Sequence, residues 1–201
     1  MLKRGGEDII KVRVVTENEG KAKEFIELGR AFGVSVEIIR APKIEIQSED
    51  LREIAMYSAV SALTYVKDCV VVEDAGLFID ALNGFPGPYS SYVYRKLGVE
   101  GILKIMDGVS NRKACFKSVI AYAAPAGSVK IFEGVVYGRI ALNVRGQEGF
   151  GFDPIFIPEG ESRTFAEMSV WEKNKYSHRA RAFKKLAELL RTAFKASDTH
   201  T

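Results

Sequence analysis

The chain has 201 residues, 47% of them hydrophobic and 27% charged, with a formal net charge of +3. That is the balance of a globular protein with a real core; so small a charge, with no Lys/Arg block, gives no argument for a nucleic-acid binder, and no apolar run is long enough to span a bilayer. The start, Met1-Leu2-Lys3-Arg4, has no apolar segment behind its charges and does not read as a signal peptide, and Cys69 and Cys115, each in an apolar run, read as small buried hydrophobes in a reducing cytoplasm.

In chain order, Lys11–Val15 reads as a short strand and is followed by Thr16-Glu17-Asn18-Glu19-Gly20-Lys21 and a helix to about Phe32. The apolar face of that helix is read as Ala22, Phe25, Ile26, Ala31 and Phe32. A polar loop with Thr16, Asn18 and Lys21 thus sits between a strand and a helix N-terminus, where free N–H groups and the helix dipole attract phosphate. Helix capping by Thr16 or Asn18 beside a solvated Lys21 explains the same residues. Residues 34–39 read as the next strand, and an extended segment holding Glu45 leads into a helix that Asp50 and Glu53 would open as a capping box. Its buried stripe is Leu51, Ile54, Ala55, Ala59 and Ala62.

Val70-Val71-Val72 reads as a fully buried strand that ends abruptly in Glu73 and Asp74, with Gly76 permitting a sharp turn. Carboxylates there are costly to desolvate unless something positive meets them. Mg²⁺, which takes oxygen ligands and works with phosphates, is one such partner; a solvated strand end is the alternative. Gly84-Phe85-Pro86-Gly87-Pro88 breaks regular structure, two short helices fit 90–97 and 99–106, and strands over 113–124 and 129–142 are joined by a turn at Pro125–Ser128, a pair expected to build a second lobe. In Phe150-Gly151-Phe152-Asp153-Pro154 the aromatics suit a flat base as well as they suit a core. Ser169 and Glu172 suggest another capping box, and Ser177 the N-cap of a final helix with Ala180, Phe183, Leu186, Ala187, Leu190 and Phe194 inward. His178 and Arg179 then fall in its first turn, where cations oppose the dipole unless acceptors face them. The tail 197–201 is expected to be disordered.

Taken in order, these segments resemble the inosine triphosphate pyrophosphatase family, also called Ham1-like or non-canonical purine NTP pyrophosphatases. The resemblance is carried by Thr16-x-Asn18-x-x-Lys21, Glu45, Glu73-Asp74-x-Gly76-Leu77, Gly84 to Ser90, Phe150 to Pro154, Glu172-Lys173-Asn174 and Ser177-His178-Arg179, and covers about 11–190. It implies a single elongated α/β domain, two lobes about a long central mixed sheet with flanking helices, and a nucleotide in the cleft between them. It further implies a homodimer that uses Mg²⁺ to cleave ITP, dITP and XTP to the monophosphate and pyrophosphate, clearing deaminated purines from the nucleotide pool. On this reading Thr16, Asn18 and Lys21 hold phosphates, and Glu45 and Asp74 hold the metal with Glu73 as an alternative. Asp74 also positions or deprotonates the water. Lys173 reaches the phosphates or the base edge, Phe152 packs on the base with Phe150 behind it, and Asp153, His178 and Arg179 read the purine edge. Two departures stand out: Glu17 replaces a usual Gly, and Val60 falls where a Lys is common. A phosphatase that releases orthophosphate and a non-catalytic nucleotide-binding module are the competing classes.

Overall fold

The computed structural model describes residues 3–4, 7–8 and 10–198. Two-residue strands β1 (Lys3–Arg4) and β2 (Glu7–Asp8) pair with each other alone. The main body follows as β3 (Lys11–Val15), α1 (Glu19–Phe32), β4 (Ser35–Ile39), α2 (Leu51–Val66), β5 (Val70–Ile79), β6 (Pro86–Gly87), α3 (Ser90–Ile105), β7 (Lys113–Ala123), β8 (Val129–Ile140), β9 (Phe156–Pro158), α4 (Val170–Tyr176) and α5 (His178–Asp198). One seven-stranded mixed sheet runs β4-β3-β5-β7-β8-β9, with β6 beside β5. Pairing is parallel between β3 and its neighbours β4 and β5, and antiparallel from β5 through β9.

Alternation along the buried strands divides the core by faces. Val71 joins Val12, Val14, Phe25, Phe183 and Leu186 under α1 and α5, while Val70 and Val72 join Leu51, Ala55, Ala59 and Ala62 under α2. A third cluster, around Leu77, Ile79, Ile102, Phe116, Phe156 and Phe165, fills the opposite end of the long strands.

Several expectations change. β5 does not stop at the acids: it runs ten residues, and all ten pair with β7. Gly76 is therefore a strand residue and makes no turn. A Cβ there would lie 2.2 Å from the Gly87 carbonyl oxygen, so the glycine admits the returning β6 backbone. The β7–β8 hairpin, closed by Gly127 at φ +84, carries the same sheet onward. On α1, Ile26 and Ala31 are exposed, and the inward face is Glu24, Phe25, Leu28 and Gly29. Glu53 does not close a box on Asp50: it accepts from the Ser48 hydroxyl, whose oxygen takes the Asp50 N–H. The two short helices appear as α3 broken at Gly98, whose φ of 63° is non-helical. The capping box at Ser169–Glu172 and the Ser177 cap on the Ala180 N–H are both present. Helix α5 takes in residues 197 and 198, and the rest of the expected tail lies outside the described residues.

Candidate active site

A cavity of about 680 Å³ opens between the β3–α1 loop, the middle of β5, the start of α3, the Phe150–Asp153 turn and the first turn of α5. It gathers Thr16, Asn18, Lys21, Glu45, Glu73, Asp74, Phe150, Phe152, Asp153, Lys173, His178 and Arg179, every residue given a binding or catalytic role from the sequence. Glu17 lines it as well; Val60 does not, being half-exposed on α2.

At the β3–α1 end, Asn18 caps the helix: its Oδ1 accepts the Lys21 N–H at 2.9 Å, and its own N–H donates to Thr16 Oγ1 at 3.2 Å. Lys21 bends over the loop, its Nζ 2.9 Å from Glu73 Oε2 and 3.1 Å from the Glu73 carbonyl. The loop thus presents a helix N-terminus, a hydroxyl and a cation to one space, a ready site for an oxyanion.

The two adjacent acids have unlike surroundings because strand neighbours face opposite sides. Glu73 is buried: Ser118 donates to Oε1 at 2.7 Å, and Arg179 Nη2 stands 3.0 Å from the same oxygen. Burial alone would raise its pKa, but Arg179 and Lys21 outweigh burial and hold it well below the usual carboxylate range. Asp74 is half-buried and, among the described residues, is in no ion pair. Burial pushes its pKa up to about 6, with Lys21 opposing and Glu73 and Glu45 adding to the rise. Glu45 approaches from the segment before α2, paired with Lys43. Glu73 is therefore largely satisfied by protein groups, and Asp74 is the carboxylate left for a ligand.

Beside the β3–α1 loop, joined to it through Glu73, lies an ion network built around a residue the sequence did not single out. Glu24, 2% exposed, accepts from Lys173 Nζ at 2.6 Å through one oxygen and from Arg179 Nη1 through the other. Lys173 also binds Asp153 Oδ2 at 2.5 Å, and that oxygen accepts the Phe150 N–H at 2.9 Å, which closes the aromatic turn. Burial opposes ionisation of Glu24, yet the charges of Lys173 and Arg179 hold its pKa at about 2. For Asp153 burial prevails and raises the pKa against the pull of Lys173. The acceptors expected to face Arg179 are thus, in large part, the protein's own carboxylates; among the described residues its buried Nε has no hydrogen-bond partner.

His178 stacks on Phe116, centroids 4.8 Å apart at 10°, and its buried Nδ1 is also without a hydrogen-bond partner among the described residues. Burial and then the Arg179 charge push its pKa well below the ordinary value, so the ring is neutral and offers one donor and one acceptor. Of the two phenylalanines, Phe152 is 3% exposed and meets Tyr94 edge-on at 5.5 Å. Phe150 is half-buried, with Lys173 Nζ 4.9 Å and the Arg179 guanidinium 5.6 Å from its centroid. Phe150 is the more accessible ring.

Among the described residues no three His, Cys, Asp or Glu side chains converge into a ready-made metal cage. The donor chemistry still fits Mg²⁺, which is commonly held by one or two carboxylates plus substrate phosphates and water. The charges fit too. The lining cations Lys21, Lys43, Arg95, Lys173 and Arg179 are matched one for one by Glu17, Glu45, Glu73, Asp74 and Asp153. A polyphosphate entering so balanced a cavity needs added positive charge.

Fold and cleft together are those of an α/β protein whose cleft offers a small ligand an oxyanion loop, an acid and aromatic and polar groups. The chain belongs to the Ham1 family, whose model matches residues 12–189. It is 50% identical over 180 residues to the dITP/XTP pyrophosphatase of Hyperthermus butylicus, covering 90% of this chain and 94% of that one. It is 48% identical over 190 residues to the dITP/XTP pyrophosphatase of Saccharolobus solfataricus, covering 94% and 96%. Among solved structures, a HAM1 protein from Coxiella burnetii superimposes with a TM-score of 0.79 at 31% identity, covering 92% of this chain and all of that one.

Proposed function

We propose that this chain is a Mg²⁺-dependent nucleoside-triphosphate pyrophosphatase that cleaves ITP, dITP and XTP to the monophosphate and pyrophosphate and so cleanses the nucleotide pool. The observation that carries the reading is one cavity that gathers an oxyanion loop, an available acid, Asp74, and the aromatic and polar groups Phe150, His178 and Arg179. Relatives half identical to it are named dITP/XTP pyrophosphatases.

In this account Thr16, Asn18 and Lys21 hold phosphate oxygens, and Lys21 exchanges its contact with Glu73 for the substrate. Glu45 and Asp74 hold the metal, which when bound neutralises phosphate charge and acidifies water. Glu73 fixes Lys21 and Arg179. Asp74 orients the attacking water, and its raised pKa gives it some basicity of its own. Phe150 stacks on the base and Phe152 walls the pocket. Lys173 and Asp153 hold the turn that carries both rings. Arg179, with only donors to offer, suits the 6-keto oxygen of hypoxanthine or xanthine and not the 6-amino group of adenine. His178 Nδ1 supplies a further polar contact to the ring edge, and the wall at Phe152 and Asp153 disfavours the 2-amino group of guanine.

The enzyme works as a homodimer, acts on neither nucleic acid nor membrane, and resides in a reducing cytoplasm. The free thiols Cys69 and Cys115 support that compartment, and among the described residues no helix is long and apolar enough to cross a membrane.

The test is kcat/KM for ITP, XTP, GTP and ATP with Mg²⁺. A site that hydrogen-bonds a polar group rejects analogues lacking it by up to roughly 10⁴-fold, so ITP and XTP should exceed ATP by several orders of magnitude. Equal rates on all four would leave a general phosphohydrolase.

A further inference from the structure

The cavity holds two cations with no role in the scheme above. Lys43, in the segment before α2, and Arg95, on α3, approach it from different elements and line it together with Glu45 and Lys21. They differ in what holds them. Lys43 is ion-paired with Glu45. Arg95 has its Nη1 fixed at 2.7 Å from the Ser91 hydroxyl, a neutral partner, and its guanidinium is in no ion pair among the described residues. Glu45 thus shares the cavity lining with Lys21, Lys43 and Arg95, and is paired with Lys43.

That arrangement is costly to keep for its own sake. An exposed ion pair stabilises a protein by about 1 kcal/mol or less, and an arginine beside a hydroxyl gains little. We propose that Lys43 and Arg95 grip the two terminal phosphates, which become the pyrophosphate leaving group, and that Lys43 is held in reserve by Glu45 until substrate arrives. Polyphosphate takes Lys43, the freed Glu45 becomes available to the metal, and each event favours the other. Metal and nucleotide then bind cooperatively because each removes the partner the other must displace. Lys43 and Arg95 thereby supply the cation that Val60 does not. This inference rests on the pyrophosphatase reading, since it assigns the leaving group of that reaction.

The experiment uses Lys43→Gln and Arg95→Gln, changes at the cavity rim that leave the core untouched. Calorimetry measures binding of pyrophosphate, of IMP and of Mg²⁺ alone to wild type and variants, and thermal melting checks folding. Both variants should bind pyrophosphate, with Mg²⁺ present, about tenfold more weakly, as loss of a charge-assisted contact implies, while IMP affinity stays within about twofold, the precision of such a comparison. Lys43→Gln alone should bind Mg²⁺ more tightly without nucleotide, by up to about fivefold, because Glu45 is no longer occupied. Equal weakening of pyrophosphate and IMP, or no weakening, overturns the grip on the terminal phosphates. Unchanged or weaker Mg²⁺ binding in Lys43→Gln overturns the exchange. A wild-type chain that hydrolyses no ITP sinks the pyrophosphatase reading instead, a result visible before any variant is made.

Discussion

The buried network around Glu24 allows a stability prediction with a worked magnitude. Glu24, Asp153 and Glu73 face Lys173, Arg179 and Lys21, three carboxylates against three cations. Glu24→Gln keeps the shape and removes one charge, which leaves the network with an excess buried positive charge. The Glu24 pKa falls from an ordinary 4.5 to about 2 on folding, and at 1.36 kcal/mol per unit that is about 3 kcal/mol. The figure agrees with the roughly 3–5 kcal/mol lost when one partner of a buried pair is removed. For a chain of this size the loss lowers Tm by about 10 °C. Because the folded value lies below the unfolded one, the stabilisation is complete above pH 4.5 and fades as pH falls toward 2. Urea unfolding of wild type and variant should show a gap of about 3 kcal/mol at pH 7 that shrinks to less than half by pH 3. Equal stability at pH 7, or a gap that does not change with pH, would refute the idea that Glu24 is the ionised centre of the network.

Asp74→Asn should reduce turnover of ITP by roughly two or more orders of magnitude, as loss of an acid–base or metal-binding group does, with an unchanged circular dichroism spectrum; retained activity removes Asp74 from the mechanism. Phe150→Ala should raise KM for ITP about tenfold, the loss of one base–aromatic stack, with little change in binding of pyrophosphate; equal effects on both would make Phe150 a structural residue.

Much of the site was legible because it lies where elements begin. The Thr16–Lys21 loop announces itself as polar residues between a strand and a helix, and Ser177 as a cap followed by an apolar stripe; such signals are local. Glu24 was not legible for the opposite reason. In Lys-Glu-Phe-Ile-Glu it looks like one more solvated charge, and only α4 and α5, about 150 residues away in sequence, give it partners. One hint was present: Glu24 stands four residues before Leu28 and beside Phe25, on the face that proves buried. The length of β5 was missed because two acids and a glycine interrupt its apolar pattern, while the strand is set by its pairing with β7 and the close approach of Gly87. The fates of Lys173 and Arg179 depended likewise on distant acids. Sequence placed them at the site, but not the carboxylates that hold them there.

The central claim is that the bond broken joins the α and β phosphates. Phosphorus NMR of ITP turned over by the wild-type chain with Mg²⁺ tests it directly. The account predicts IMP and pyrophosphate as the first products, with no IDP at any time. Appearance of IDP and orthophosphate would contradict it, and would make the chain a phosphatase built on the same cleft.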